Sequence, residues 1–318
     1  SLPSENSFKN LEVLDATQIE FPISNLTKLK RLYYAGTLPF DTIVFKKLSK
    51  RINYFSFYSM YFRDIYDINN IGIRNSKIKT LIVSIPSIGY KYKFDSKYEK
   101  EYEDKLFSNL FGNSSLRNIY IHLTGWGFDS TYAIGNMHKS YKLENLYISP
   151  NDTAVSIPPL FVQFPFVKSF MVFPPLTPHM KSKPGILLQN SNWIDSIKNP
   201  IDLGLLNIKY DNDIAEKIIH NGKNIKRLYI DSSFFVNFKA KYNCQSDLKS
   251  IVVILQSNQN NLLIDSLENC NGNIRFITND QFYFNLFENG DSPYFDRERK
   301  LKTKFYNRNS YRYFQICP

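Results

Sequence analysis

A chain of 318 residues with 43% hydrophobic residues can bury a substantial core, in one large domain or two ordinary ones. Only 12 glycines are present, which argues against a nucleotide-binding fold built on Gly-rich turns, whereas 22 Tyr and 26 Phe make the chain unusually aromatic. The net charge of +11 and pI near 9.3 favour acidic partners or phosphate backbones, although abundant Lys beside Asn, Ile, Tyr and Phe is also what A- and T-biased coding produces.

In chain order, one short phrase recurs: an aliphatic anchor, two variable residues, a second apolar anchor, one variable residue, a third. It runs Leu11-Glu-Val-Leu14-Asp15, Leu29 to Tyr34, Ile52 to Phe57, Ile78 to Val83, Leu116 to Ile121, Leu143 to Ile148 and Val167 to Val172. It continues through Leu203 to Ile208, Ile225 to Ile230 and Leu248 to Val253, and ends in a worn copy at Ile274 to Ile277. Successive copies are mostly about 18 to 27 residues apart, with longer gaps before Leu116 and Leu203, in the range of short structural repeats. Each copy predicts a short strand with period-two alternation, whose inward anchors stack on those of the next coil.

A second grammar precedes several strands. Asp213 to His220 predicts an amphipathic helix stopped by Asn221-Gly222 before the strand at Ile225. Tyr102 to Phe111 with Gly112-Asn113 leads in the same way to Leu116, and Leu262 to Cys270 with Asn271-Gly272 leads to Ile274. The expected fold is therefore α/β: a leucine-rich-repeat-like solenoid of about eleven coils, strands on the concave face, irregular helices and loops on the convex face.

On these residues the chain resembles the leucine-rich repeat superfamily over most of residues 8–278. It is most similar to the irregular, helix-bearing repeats of F-box-type substrate receptors. It departs from the family pattern in two ways: the leucines are often Ile, Val or Phe, and the family's turn-pinning Asn is clear only at Asn151. The resemblance implies a protein-recognition scaffold, including the substrate-recognition part of a ubiquitin-ligase adaptor. F-box helices would have to precede Ser1.

Two stretches interrupt the rhythm. Residues 85–105, rich in Lys, Tyr and Glu, read as a solvated insertion, and residues 174–202, with Pro174, Pro175, Pro178, Pro184 and Pro200 around Trp193, read as a long rim loop. The expected division is a solenoid over 1–290 and a basic, aromatic cap or tail over 291–318, where Arg297, Lys300, Lys302 and Arg308 alternate with Tyr294, Phe305, Tyr306 and Tyr311. Such a tail suits either an end cap or a nucleic-acid surface.

Searches for chemistry return little. The nucleophile-elbow, Walker and dinucleotide motifs are missing, and His122, His138, His179 and His220 lie far apart with no Cys beside them. The expectation is a non-enzyme without metal or cofactor. Apolar runs fall short of the roughly 20 residues of a membrane-spanning helix, since Ile157 to Leu176 is broken by prolines and Lys168. No basic start or apolar core of a signal peptide is seen at Ser1-Leu2-Pro3-Ser4. The sparse cysteines Cys244, Cys270 and Cys317 fit a cytoplasmic or nuclear setting, with a Cys244–Cys270 bridge left open. Sequons at Asn25, Asn113 and Asn151 leave an extracellular, glycosylated origin open.

The strand phrase also picks out a surface. The residue between the last two anchors should face the concave side: Asp15, Tyr33, Ser56, Ile82, Tyr120, Tyr147, Met171, Asn207, Tyr229 and Val252. Arg31, Tyr54, Asn118, Asn145, Arg227 and Asp231 flank that row as exposed positions. Tyr and Arg combine area with polar reach, so Arg31, Tyr33, Tyr54, Tyr120, Tyr147, Met171, Asn207, Arg227 and Tyr229 are the candidate residues for a protein partner. Nucleic acid, engaged through the basic tail, is the alternative partner.

Overall fold

The computed structural model describes residues 10–16, 26–35, 42–58, 73–85, 104–123 except 106, 142–150, 154–173, 185–242, 247–255 and 274–278. These form an α/β protein with one large parallel sheet and few helices. Strands β1 (Val13–Ala16), β2 (Arg31–Ala35), β3 (Tyr54–Tyr58), β4 (Thr80–Ile85), β5 (Asn118–Leu123) and β6 (Asn145–Ser149) come first. After them come β8 (Ser169–Val172), β10 (Ile201–Leu205), β11 (Ile225–Asp231), β12 (Ile251–Leu255) and β13 (Ile274–Thr278), making eleven strands in sequence order. A separate pair, β7 (Ala154–Val155) and β9 (Leu187–Leu188), is also parallel.

Strict sequential order follows from the repeat. The second anchors lie opposite one another from strand to strand, as in Leu32↔Phe55, Phe55↔Leu81, Leu81↔Ile119 and Ile119↔Leu146. All are fully or nearly fully buried in one continuous core with the third anchors Phe57, Val83, Ile121 and Ile148. The helices pack onto that same face. Leu48 of α1 (Thr42–Ser49), Leu160 of α2 (Leu160–Gln163), Trp193 and Ile194 of α3 (Asn192–Asp195), and Ile214, Ala215 and Ile218 of α4 (Asn212–His220) all belong to this core. So do Phe234, Phe235 and Phe238 of α5 (Ser232–Phe238).

Side-chain caps start two of these helices. The Asp211 carboxylate accepts from the Asp213 and Ile214 amides at 2.9 and 3.1 Å, capping α4, and Asp231 accepts from the Phe234 amide at 2.9 Å, capping α5. Asn221 ends α4 as its first residue out of helix. Residues 107–111 are helical ahead of β5, in line with the expectation there, while the proposed helix over 262–270 lies outside the described residues.

Two copies of the phrase take a different register from the one their spacing suggests. In β10 the anchors are Ile201, Leu203 and Leu205, paired with Ile225, Leu228 and Ile230, because a register shift between Ile201 and Asp202 removes one variable residue. Leu206 then falls on the opposite face and Ile208 bridges to Ile186. In β13, Ile274 meets Ile251 and Phe276 meets Val253, so Ile274 is a second anchor, not a first.

The stretch over 174–202 is not one long rim loop in its described part. Residues 185–200 hold β9 and α3, and Trp193 is fully buried, its indole packed 5.6 Å from the Phe170 ring and 6.3 Å from Phe161. Burying that indole outweighs the loop-forming tendency of the surrounding prolines. The stretch over 86–103, the tail over 279–318 and all three cysteines lie outside the described residues.

Side-chain amides tie neighbouring repeats together at the helix stops. Asn113, 1% exposed, donates to the Ile73 carbonyl and to Ser76 Oγ, both at 2.9 Å, and accepts from the Ser115 amide at 2.8 Å. Asn221 donates to the Ile194 carbonyl at 2.8 Å, and Asn224 donates to the Ile197 carbonyl at 3.0 Å. These asparagines precede the strand, whereas the family's turn-pinning Asn follows it. A glycan cannot be carried on an Asn113 amide that is buried and fully hydrogen-bonded, so that sequon is closed in the folded chain.

Candidate recognition surface

Alternation along each strand sends its other residues to the face opposite the helices. Three rows result. The middle row, in register, is Tyr33, Ser56, Ile82, Tyr120, Tyr147, Met171, Gly204, Tyr229 and Val252. It contains every row residue expected from the sequence except Asn207, whose place Gly204 takes; the side chain of Asp15 is outside the described residues. Asn207 lies beyond β10 with φ of 54°, its amide donating to Asp231 Oδ2 at 2.6 Å. Gly204 fits because Met171 leans over it: a Cβ there would come within 2.7 Å of Met171 Cγ.

An open surface was expected of this row, and most of it is closed. Tyr33, Tyr54, Tyr120, Tyr147 and Met171 are 3–5% exposed and form a second apolar cluster with Ile82, Phe173, Leu206 and Ile254. One-to-one register sets rings about 4.8 Å apart on adjacent strands, so they cover one another. In register, Tyr120 and Tyr147 stack at 4.5 Å, while Tyr33 and Tyr54, diagonal neighbours from adjacent rows, lie tilted at 4.9 Å. Burial pushes the Tyr120 hydroxyl well above its ordinary range and Tyr147 up to about 12, so neither ionises at physiological pH. A sheet covered on both faces is the usual condition of parallel strands.

The row towards the strand starts is polar. Asn118 Nδ2 donates to Thr80 Oγ1 at 2.9 Å, and Asn145 Nδ2 donates to Asn118 Oδ1 at 2.6 Å, giving a side-chain ladder across β4, β5 and β6. Further along, Asp202 lies opposite Arg227 and accepts from its guanidinium through both carboxylate oxygens, Nε to Oδ1 at 3.0 Å. That bond raises the Arg227 pKa. Arg227 also lies 5.8 Å over the Tyr229 ring, as Arg31 lies 6.0 Å over Tyr54. Arg227 is exposed, while Arg31, Tyr229, Asn118 and Asn145 are half-buried. Asp231, expected exposed, is 5% exposed because it caps α5.

Towards the strand ends, His122 is fully buried, 5.6 Å edge-on from Phe173, and burial lowers its pKa to about 4. Its Nε2 and the hydroxyl of Ser149, its register partner, have no hydrogen-bond partner. The two do not form the nucleophile–base contact that acyl transfer requires. Among the described residues no group of three His, Cys, Asp or Glu side chains could hold a metal ion, and no helix is long and apolar enough to cross a membrane. Sequence reasoning missed Asp202 and the buried His122. Asp202 was hidden by the register error, and His122 by its position one residue past the third anchor.

Compared with known proteins, the chain matches no family model, no curated protein and no solved structure.

Proposed function

We propose that this chain is a non-catalytic recognition scaffold, a leucine-rich-repeat-like solenoid that binds a protein partner on the face opposite its helices, the concave side of such a coil. The observation that carries the reading is the Asp202–Arg227–Tyr229 group beside the closed tyrosine row. A bidentate carboxylate holds the guanidinium while the guanidinium lies on a half-buried ring, so the polar group is held ready on a rigid sheet. Arg31 with Tyr54 repeats the chemistry at the other end. Arg and Tyr in this arrangement are the side chains that concentrate binding energy at interfaces.

Burial moves the expected binding residues. Arg227 is exposed and Arg31 and Tyr229 are half-buried, while Tyr33, Tyr54, Tyr120, Tyr147 and Met171 are buried. The ubiquitin-ligase role rests on the family resemblance alone. The test is affinity capture from native lysate with the wild-type chain, Arg31→Ala, and the double variant Arg227→Ala, Tyr229→Ala. Loss of a captured protein with the double variant supports the reading. Capture of the same proteins at the same strength by all three ends it.

A further inference from the structure

The two ends of the sheet differ in charge, and composition does not explain the difference. The residues on either side of each first anchor point away from the core, because anchors such as Leu29, Ile78, Leu143 and Leu248 are 0–1% exposed within it. At this leading edge Lys28, Lys77, Lys79, Lys142, Lys226 and Lys249 are exposed and form no ion pair among the described residues. The acids of the same edge are fewer and mostly engaged: Glu12 pairs with Lys30, Glu144 with Lys168 and Arg117, and Asp202 with Arg227, which leaves the exposed Asp247. At the trailing edge no strand of the sheet ends on Lys or Arg, and the three sequence positions after each of its strands hold none either. A uniform excess of Lys from biased coding would load both ends alike.

Backbone hydrogen bonds run along this edge from strand to strand. The Lys79 amide donates to the Asn53 carbonyl at 2.7 Å, Arg117 to Lys79 at 2.8 Å, Glu144 to Arg117 at 2.7 Å and Lys168 to Glu144 at 2.7 Å. Charges are therefore carried on a hydrogen-bonded ledge that advances about 4.8 Å per strand, on the order of 48 Å over the whole sheet.

From this we infer that the leading edge is a binding ledge for the phosphate backbone of a nucleic-acid duplex. Lysines without a pocket read charge density and not shape, and a duplex presents about one charge per 1.7 Å of axis, against about one per 3.3 Å in a fully acidic extended peptide. Phe166 is the exposed aromatic on the edge among the described residues, too little for the stacking platform that single-stranded bases need. Recognition here is of backbone and not of sequence. None of the ledge lysines belongs to the Asp202–Arg227–Tyr229 group, and the two assignments stand or fall separately.

Fluorescence anisotropy of the full chain with a labelled 20-base-pair DNA duplex and a matching RNA duplex, across a salt series, tests this. The expected result is binding at low salt that weakens linearly in log–log form. The variant Lys77→Gln, Lys79→Gln, Lys226→Gln, Lys249→Gln should flatten that slope by about three to four and weaken binding at least tenfold at low salt. A charge-matched control, Lys46→Gln, Lys47→Gln, Lys105→Gln, Lys209→Gln, should keep the wild-type slope, with circular dichroism confirming that both variants are folded. Binding of one duplex and not the other assigns the nucleic acid within the proposal. No binding to either duplex at low salt overturns it, as does equal loss in the edge and control variants. Equally tight binding of a poly-glutamate peptide overturns the nucleic-acid assignment.

Discussion

The two faces of the sheet are built from the same strands, yet they are stabilised differently. Among the described side chains, the strand residues of the helix-side face are aliphatic or phenylalanine, from Leu32 to Val253, and pack against one another without polar contacts. The opposite face is buried over much of its area too, but from tyrosines, a methionine, an Asn–Thr ladder, a buried histidine and an ion pair. Apolar packing tolerates exchange of one hydrophobe for another, whereas buried polar groups penalise loss of a single partner. The first face therefore carries stability, and the second holds particular groups in fixed places.

Four measurements would break or sharpen that contrast. The largest effect should come from the helix-side core: Trp193→Ala is expected to lose about 3–5 kcal/mol in denaturant unfolding. A loss under about 1 kcal/mol would mean that the indole is not held as described. On the opposite face, His122 gives stability a pH dependence. Its folded pKa lies near 4, below the ordinary 6.5, so the neutral ring favours folding fully above pH 6.5. That contribution, about 3 kcal/mol, is lost as pH falls from 6.5 towards 4. His122→Leu should lose this slope, so subtracting its unfolding free energy from that of the wild type at each pH should isolate it. A difference that stays constant between pH 6.5 and 4 would refute the assignment.

Next comes Asn113→Ala, which strands the Ile73 carbonyl and Ser76 hydroxyl at a junction between repeats. A loss of about 2 kcal/mol is expected in the same unfolding measurement, against less than about 0.5 for the exposed Asn75→Ala. The smallest effect on stability belongs to Arg227→Ala, under about 1 kcal/mol, since its ion pair is partly solvent-exposed. If its loss proved as costly as that of Trp193, Arg227 would be structural and the recognition reading would lose its main residue.

Much of the fold was legible because it is local. Period-two alternation placed the anchors of all but β10 and β13 in their true register, and the apolar spacing over Asp213 to His220 with the Asn221-Gly222 stop marked α4. Where spacing alone was ambiguous, it misled. Leu203, Leu206 and Ile208 fit the phrase, whereas Ile201, Leu203 and Leu205 lack one of its variable residues, and only pairing Asp202 with Arg227 and Leu203 with Leu228 selects the second set.

The candidate site was legible in membership and misread in exposure. Tyr33, Tyr120, Tyr147, Met171 and Tyr229 share one row, as the alternation required. That Tyr120 stacks on Tyr147, and that Trp193 enters the core from a proline-rich stretch, depends on residues brought together from distant parts of the chain. By itself the sequence determined strands, their order and which side chains share a face, since these follow from the periodicity of a single strand. Only the tertiary structure decided how far the tyrosine row is buried, where Asp202 falls, and that lysines align along one edge, because each depends on what the neighbouring strands place beside it.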